Sequence, residues 1–219
     1  MYLIFDTETS SFTNKNLPAK DPRQAHLLQL GAVLLDARGE TLDEYGATVQ
    51  LPPDVQIAPG AAEAHGVTIE QVRAGVTPQA AYDAFVALTQ RASRLMAYNM
   101  PFDWQVLVLF SLQNGFGLLP FQKIMGLNNC IMRVMTPIVN IPNKNGTLKF
   151  PKLKESYKFC FGREFANAHN ALADARATAE VWRWWLHREA PPAAPPAPAH
   201  PLLECFRARA QPAAQPQPA

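Results

Sequence analysis

Acidic side chains gather at three places in this 219-residue chain, and each place has a spacing that chemistry could use. The first is Asp6-Thr7-Glu8. On extended backbone, residues i and i+2 point to one face about 6–7 Å apart, so both carboxylates look the same way. The second is Asn99-Met100-Pro101-Phe102-Asp103, where an apolar stretch gives way to a proline suited to a first helical position. Asp103 then falls in a first turn, where unpaired backbone amides favour a negative charge, so by itself it reads equally well as a helix-dipole acid. The third is His169-Asn170-Ala171-Leu172-Ala173-Asp174. Asn170 makes a good N-cap, the helix begins at Ala171, and Asp174 also lies in a first turn. At 100° per residue, Ala171, Ala175, Thr178, Trp182 and Trp185 form one apolar stripe, with Asp174 roughly 60° from its centre. His169 precedes the cap and can lean over the same place. Alone, each cluster has an ordinary structural explanation. Together they make a set of oxygen donors that selects a hard cation, Mg²⁺ or Mn²⁺, over Zn²⁺; without one, the crowded charges would raise at least one pKa.

Positioning these groups requires an alternation of strands and helices. Apolar runs predict strands at Tyr2 to Asp6, Leu27 to Leu35 and Glu44 to Leu51, with Asp36 to Gly39 turning between the last two. Their meander order implies antiparallel pairing. Helical patterns follow at Thr68 to Ala74 and Pro78 to Ser93, then a short strand at Leu95 to Tyr98 and a helix from about Pro101. A loop from Asn140 to Lys154 precedes a final helix, Ala171 to His187. The order β-β-β-α-β-α puts the fold in the α/β class.

Composition sets the outer limits. Of the 20 prolines, 9 lie between Pro191 and Pro218, so a domain of residues 1–190 is followed by a Pro/Ala-rich tail, 191–219, expected to be disordered. The tail carries one apolar knot, Leu202-Leu203-Glu204-Cys205-Phe206, that could dock on another protein. No apolar run approaches the roughly 18 residues of a membrane span, and the opening residues carry no secretory pattern, so a cytoplasmic location is expected. The cysteines Cys130, Cys160 and Cys205 are far apart, as reduced thiols are. With 20 basic and 18 acidic residues, net charge +2 does not mark a nucleic-acid binder, so any positive field must be local. One such place exists: Lys144, Lys149, Lys152, Lys154 and Lys158 against the single acid Glu155, a local charge of +4.

Asp6-Thr7-Glu8-Thr9, Asn99 to Asp103 and His169 to Ala175, in that order, resemble the three motifs of the DnaQ-like DEDD exonucleases, in the subgroup with a histidine; Ala64-His65-Gly66-Val67 resembles the segment between the first two motifs. The likeness covers about residues 1–187. It implies a ribonuclease H-like mixed five-stranded sheet flanked by helices and 3′-to-5′ hydrolysis of phosphodiester bonds with release of nucleoside monophosphates. It also implies two divalent ions, about 3.5–4 Å apart. Asp6, Glu8 and Asp174 would hold one, Asp6 would bridge to the second, and Asp103 would act directly or through water. His169 would be the general base, histidine being the side chain ordinarily able to take up a proton near neutral pH. Thr7, His65, Gly66, Asn99 and Phe102 would border the terminal nucleotide. The substrate expected is a single-stranded or frayed 3′ end, read as DNA with an exoribonuclease as the alternative, since the phosphodiester attacked is common to both. The family includes proofreading subunits such as the replicative polymerase's epsilon chain, which bind a polymerase through a C-terminal extension, so the tail is a candidate contact for a polymerase or a sliding clamp. A different class, a noncatalytic binding module on the same fold, would bind without Mg²⁺. The chain departs from the family in Ser10-Ser11, where a glycine often stands, and in an insertion-like stretch from Thr13 to His26.

Overall fold

The computed structural model describes residues 1–122, 124 and 129–188. The boundary at 190, the tail and its Leu202 to Phe206 knot lie outside the described residues.

The sheet is built around β1 (Tyr2–Thr9), which pairs antiparallel with β2 (Leu27–Leu35). β2 pairs antiparallel with β3 (Thr41–Thr48), and β1 pairs parallel with β4 (Arg94–Ala97), giving the order β3-β2-β1-β4. The expected five-stranded sheet is therefore corrected to four strands among the described residues. Beside β4 the described residues show isolated contacts. Leu95 N donates to Ile124 O at 3.0 Å and Ala97 N to Asn129 O at 3.2 Å, with one isolated parallel bridge from Ala97 to Cys130.

Helices pack on both faces of the sheet because the central strands alternate apolar residues toward each. Leu3 and Phe5 join Leu30, Ala32 and Leu34 under α3 (Pro78–Arg91) and α4 (Met100–Asn114). Ile4, Val33 and Leu35 face the other way, against α6 (Ile131–Val139), α7 (Leu153–Phe161) and α8 (Ala171–His187). Short helices α1 (Pro59–His65), α2 (Ile69–Arg73) and α5 (Leu119–Gln122) complete the set. Side-chain caps support the entries to α2 and α3: Thr68 accepts from Gln71 N, and Thr77 from Ala80 N. No helix among the described residues is long and apolar enough to cross a membrane.

Two features of the sheet place the acids. β4 stops opposite Phe5, which leaves the last residues of β1 without a neighbour on that side. On the other side, Asp6 registers with Gly31, and Gly31 with Gly46, so a row of missing side chains runs across β2 and β3 beside Asp6. The first turn of α8 lies in that row. A Cβ on Gly31 would sit 2.2 Å from the Ala171 carbonyl, and one on Gly46 would sit 2.7 Å from the Leu172 side chain. Farther along, Trp182 meets the Tyr2 ring edge-on at 5.4 Å, so α8 is anchored at both ends along the sheet.

Candidate active site

β1 runs past Asp6 to Thr9 instead of ending at the acidic pair, so Asp6 and Glu8 are ladder residues whose backbone is held by β2. Both side chains share the face of Ile4, toward α8. Thr7 points the other way, into the gap left by β4. Its backbone N–H, which would otherwise be orphaned on a strand edge, donates to Asp103 Oδ1 at 3.1 Å, and its hydroxyl donates to the same oxygen at 2.8 Å. Asp103 is only 3% exposed. It sits in the first turn of α4, where the Asn99 carbonyl accepts from Phe102 N at 2.9 Å and Asp103 N at 3.3 Å.

At α8, Asn170 Oδ1 accepts from Ala173 N at 3.1 Å, the cap expected from the sequence. His169 takes φ +70°, a left-handed conformation that non-glycine residues adopt at a cost of about 1–3 kcal/mol. That geometry turns its amide onto Asp174 Oδ2 at 3.1 Å. The other carboxylate oxygen, Asp174 Oδ1, is buried without a hydrogen-bond partner among the described residues. One potential ligand atom from each of Glu8, His169 and Asp174 falls within 4.8 Å of the others.

The electrostatics follow from this crowding. Burial, and then the charges of Asp103, Asp174 and Glu8, push the Asp6 carboxyl well above its ordinary value. Burial with Asp174 and Asp103 as neighbours raises Glu8 to about 7. For Asp103 two effects compete: burial raises its pKa while the two Thr7 hydrogen bonds lower it, and the outcome of about 7 shows that burial wins. Asp174 is raised by burial, against the hydrogen bond from His169 N. A tenfold change in acidity is worth about 1.4 kcal/mol between protonation states, so this pocket resists holding its negative charges unaided.

The four acids and His169 are therefore brought together, with Thr7 fixing Asp103. His65 lies near enough to His169 for their charges to interact; burial and then His169 lower its pKa, against the backbone of Thr9. His65 Nδ1 accepts from Val67 N at 3.0 Å. Gly66 caps α1 at φ +65°. Asn99 is exposed at the mouth of α4 and Phe102 is half-buried against the core; neither side chain bonds to the acids. Sequence reading alone passed over the Gly31–Gly46 seat for α8 and the Thr7 clasp on Asp103. A glycine in each of two adjacent strands was the available signal.

Where a glycine often follows the first motif, Ser10 is buried and its hydroxyl accepts from His26 N at 3.0 Å. The insertion-like stretch is stapled: Gln113 Nε2 donates to Ala19 O and Ala25 O at 3.0 Å, and Gln24 Nε2 donates to Asn14 O at 2.7 Å. The stretch is thus tied to α4 and to the end of β1 by defined hydrogen bonds.

The RNase T exonuclease family model matches residues 3–182. The chain belongs to that exonuclease family. Among solved structures, E. coli Exonuclease I in complex with a dT13 oligonucleotide superposes with a TM-score of 0.67 at 22% identity, over 85% of this chain and 41% of that one. The chain thus spans about two-fifths of Exonuclease I. The nuclease domain of 3′hExo, a DEDDh family member bound to rAMP, gives a TM-score of 0.64 at 18% identity, over 84% of this chain and 90% of that one. A 3′-exonuclease that recognises the histone mRNA stem-loop gives 0.60 at 15% identity, over 84% of this chain and 80% of that one. At these identities the likeness speaks for the exonuclease fold alone. No curated protein matches the chain.

Proposed function

We propose that this member of the exonuclease family is a divalent-cation-dependent 3′-to-5′ exonuclease that releases nucleoside 5′-monophosphates. The observation supporting the proposal is that ligand atoms of Glu8, His169 and Asp174 lie within 4.8 Å of one another while Asp6, Glu8, Asp103 and Asp174 feel one another's charges, from a strand and two helix starts. The donor set fits hard cations: it is oxygen-rich, its carboxyls are driven toward protonation by burial and mutual repulsion, and a buried Asp174 oxygen is left unpaired. Asp6, Glu8 and Asp174 would hold one Mg²⁺ or Mn²⁺, with Asp6 shared with a second and Asp103 serving that second directly or through water. When bound, such a pair supplies an activated water on one side of the phosphate and neutralises charge on the leaving oxygen on the other.

The chain's own groups do the rest. His169, exposed at the rim with its ring beside Glu8 and Asp174, accepts the proton of the attacking water. Such a base is typically worth about 10²- to 10⁴-fold. Thr7 holds Asp103 in one orientation. His65 and Gly66 from one side, and Asn99, Phe102 and the Thr7 backbone from the other, border the terminal nucleotide. We favour DNA as substrate, in proofreading, repair or processing, with a polymerase or sliding clamp as partner through the C-terminal segment.

The test is a ladder assay with 5′-labelled single-stranded DNA, mismatched duplex and RNA, each with Mg²⁺, Mn²⁺ or chelator. Stepwise shortening that needs a cation and vanishes in Asp6→Ala and Asp174→Ala is expected. Cation-independent binding without mononucleotide release would instead favour a noncatalytic module, and preference for RNA would favour an exoribonuclease.

A further inference from the structure

Near Asp174, residues 141–158 combine an exposed aromatic ring with a cluster of lysines. Pro142 and Leu148 bridge around a turn at Asn143–Gly146, and α7 follows. Phe150 lies between, 56% exposed. An exposed phenylalanine on a fraying loop would mean little, but this one stands on backbone fixed at both flanks. Lys149 N donates to Ile141 O at 2.9 Å, and Lys149 Nζ pairs with Glu155 Oε1 at 2.6 Å. On the other flank Pro151 is buried, and its carbonyl accepts from the Tyr98 hydroxyl at 2.8 Å, a hydroxyl that also meets Ser156 Oγ at 2.8 Å. Tyr98 immediately precedes Asn99 at the mouth of α4, so the clamp that presents Phe150 grows out of the backbone that carries Asp103.

Charge surrounds the ring. Lys149 is taken up by Glu155, but Lys144, Lys152, Lys154 and Lys158 are exposed and make no ion pair among the described residues. Lys154 and Lys158 are one turn apart on α7, and Lys154 is close enough to Asp174 for its charge to be felt there. An aromatic face held outward among lysines, next to a pocket for a 3′ end, matches the physics of a single-strand platform. Bases stack on the ring, and phosphates follow the ammonium groups.

We infer that the 141–158 element binds the single strand upstream of the terminal nucleotide, with Phe150 as stacking platform and Lys152, Lys154 and Lys158 as phosphate contacts. This rests on the exonuclease reading, and the experiment separates the two. Wild-type hydrolysis of the 4-nitrophenyl ester of thymidine 5′-monophosphate, which has no upstream nucleotides, tests catalysis alone. Fluorescence anisotropy of 5′-fluorescein dT12 in chelator tests the platform. Phe150→Ala should weaken dT12 binding by at least about 5-fold and Phe150→Trp should restore it, as expected of base stacking. Lys154→Gln combined with Lys158→Gln should lower the slope of log affinity against log salt by about 0.7 per lysine. Equal binding of dT12 by wild type and Phe150→Ala would overturn the platform whatever the ester result. Dimerisation abolished by Phe150→Ala would also overturn it, assigning the face to a second copy of the chain. Differential dT12 binding without ester hydrolysis would keep the platform and sink the catalysis, whereas no dT12 binding by wild type would sink the platform and leave the catalysis to the ester result.

Discussion

At the scale of single residues, the pocket combines groups that disfavour one another until something joins them. Glu8 and Asp103 stay protonated up to about pH 7 in the folded chain, whereas in the unfolded chain carboxyls ionise near 4. Between those values the unfolded chain has already released protons that the folded chain keeps, so stability falls as pH rises from about 4.5 through about 7. Thermal melts in chelator should show Tm dropping across that window, and Mg²⁺ added at pH 8 should raise it again. A Tm that climbs through the window and ignores Mg²⁺ would contradict a crowded, cation-seeking site. His169 offers a second residue-scale test because its backbone is strained and its ring exposed. Asparagine tolerates left-handed φ better than histidine. His169→Asn should therefore melt no lower than wild type while turnover falls by about 10²-fold or more. Wild-type turnover in that variant would remove His169 from the base role.

At the scale of elements, the site depends on how closely α8 can approach the sheet. Gly31→Ala would drive a methyl into the Ala171 backbone, where only 2.2 Å is available. Helix and strand must part, at a cost of about 1–3 kcal/mol and with Asp174 displaced from Asp6. Loss of activity exceeding the loss of thermal stability, compared at a temperature where the variant remains folded by circular dichroism, is the expected result. Tyr98→Phe should loosen the 149–156 clamp, leaving the Pro151 carbonyl and Ser156 without their partner, and lower stability by about 1–3 kcal/mol in a denaturant titration.

Elements with strong periodic burial were readable in advance: β2 and α8 have the bounds that their apolar patterns predict. β3 is an edge strand with half-exposed residues, so its pattern placed it three residues late. Four helices were not anticipated, the four-residue α5 among them, and the other three were hidden for separate reasons. α1 buries nothing and begins at Ala58 without a side-chain cap, α6 contains Pro137, and α7 starts from Lys152 within what reads as a basic loop. The acids and histidine were legible because motif spacing survives without the fold. Their support was not, since Thr7, Gly31 and Tyr98 act through residues distant in sequence.

At the scale of the whole molecule, the exonuclease-family match covers residues 3–182, and we propose that the segment after it governs where the enzyme works, not how fast. A chain ending at residue 190 is expected to shorten a single-stranded oligonucleotide at the rate of the full chain. If the Leu202–Phe206 segment recruits a sliding clamp, Phe206→Ala should abolish capture of clamp in a pull-down while leaving that rate alone; equal capture by the variant would remove the clamp as a partner. All of this presupposes that oxygens from β1, α4 and α8 act as one cation site. The most direct measurement is calorimetric titration of Mn²⁺ into wild type and Asp6→Asn at pH 8. A convergent site predicts saturation at two ions per chain in wild type and loss of that binding in the variant. Absent saturation in wild type, or identical isotherms for both proteins, would contradict it.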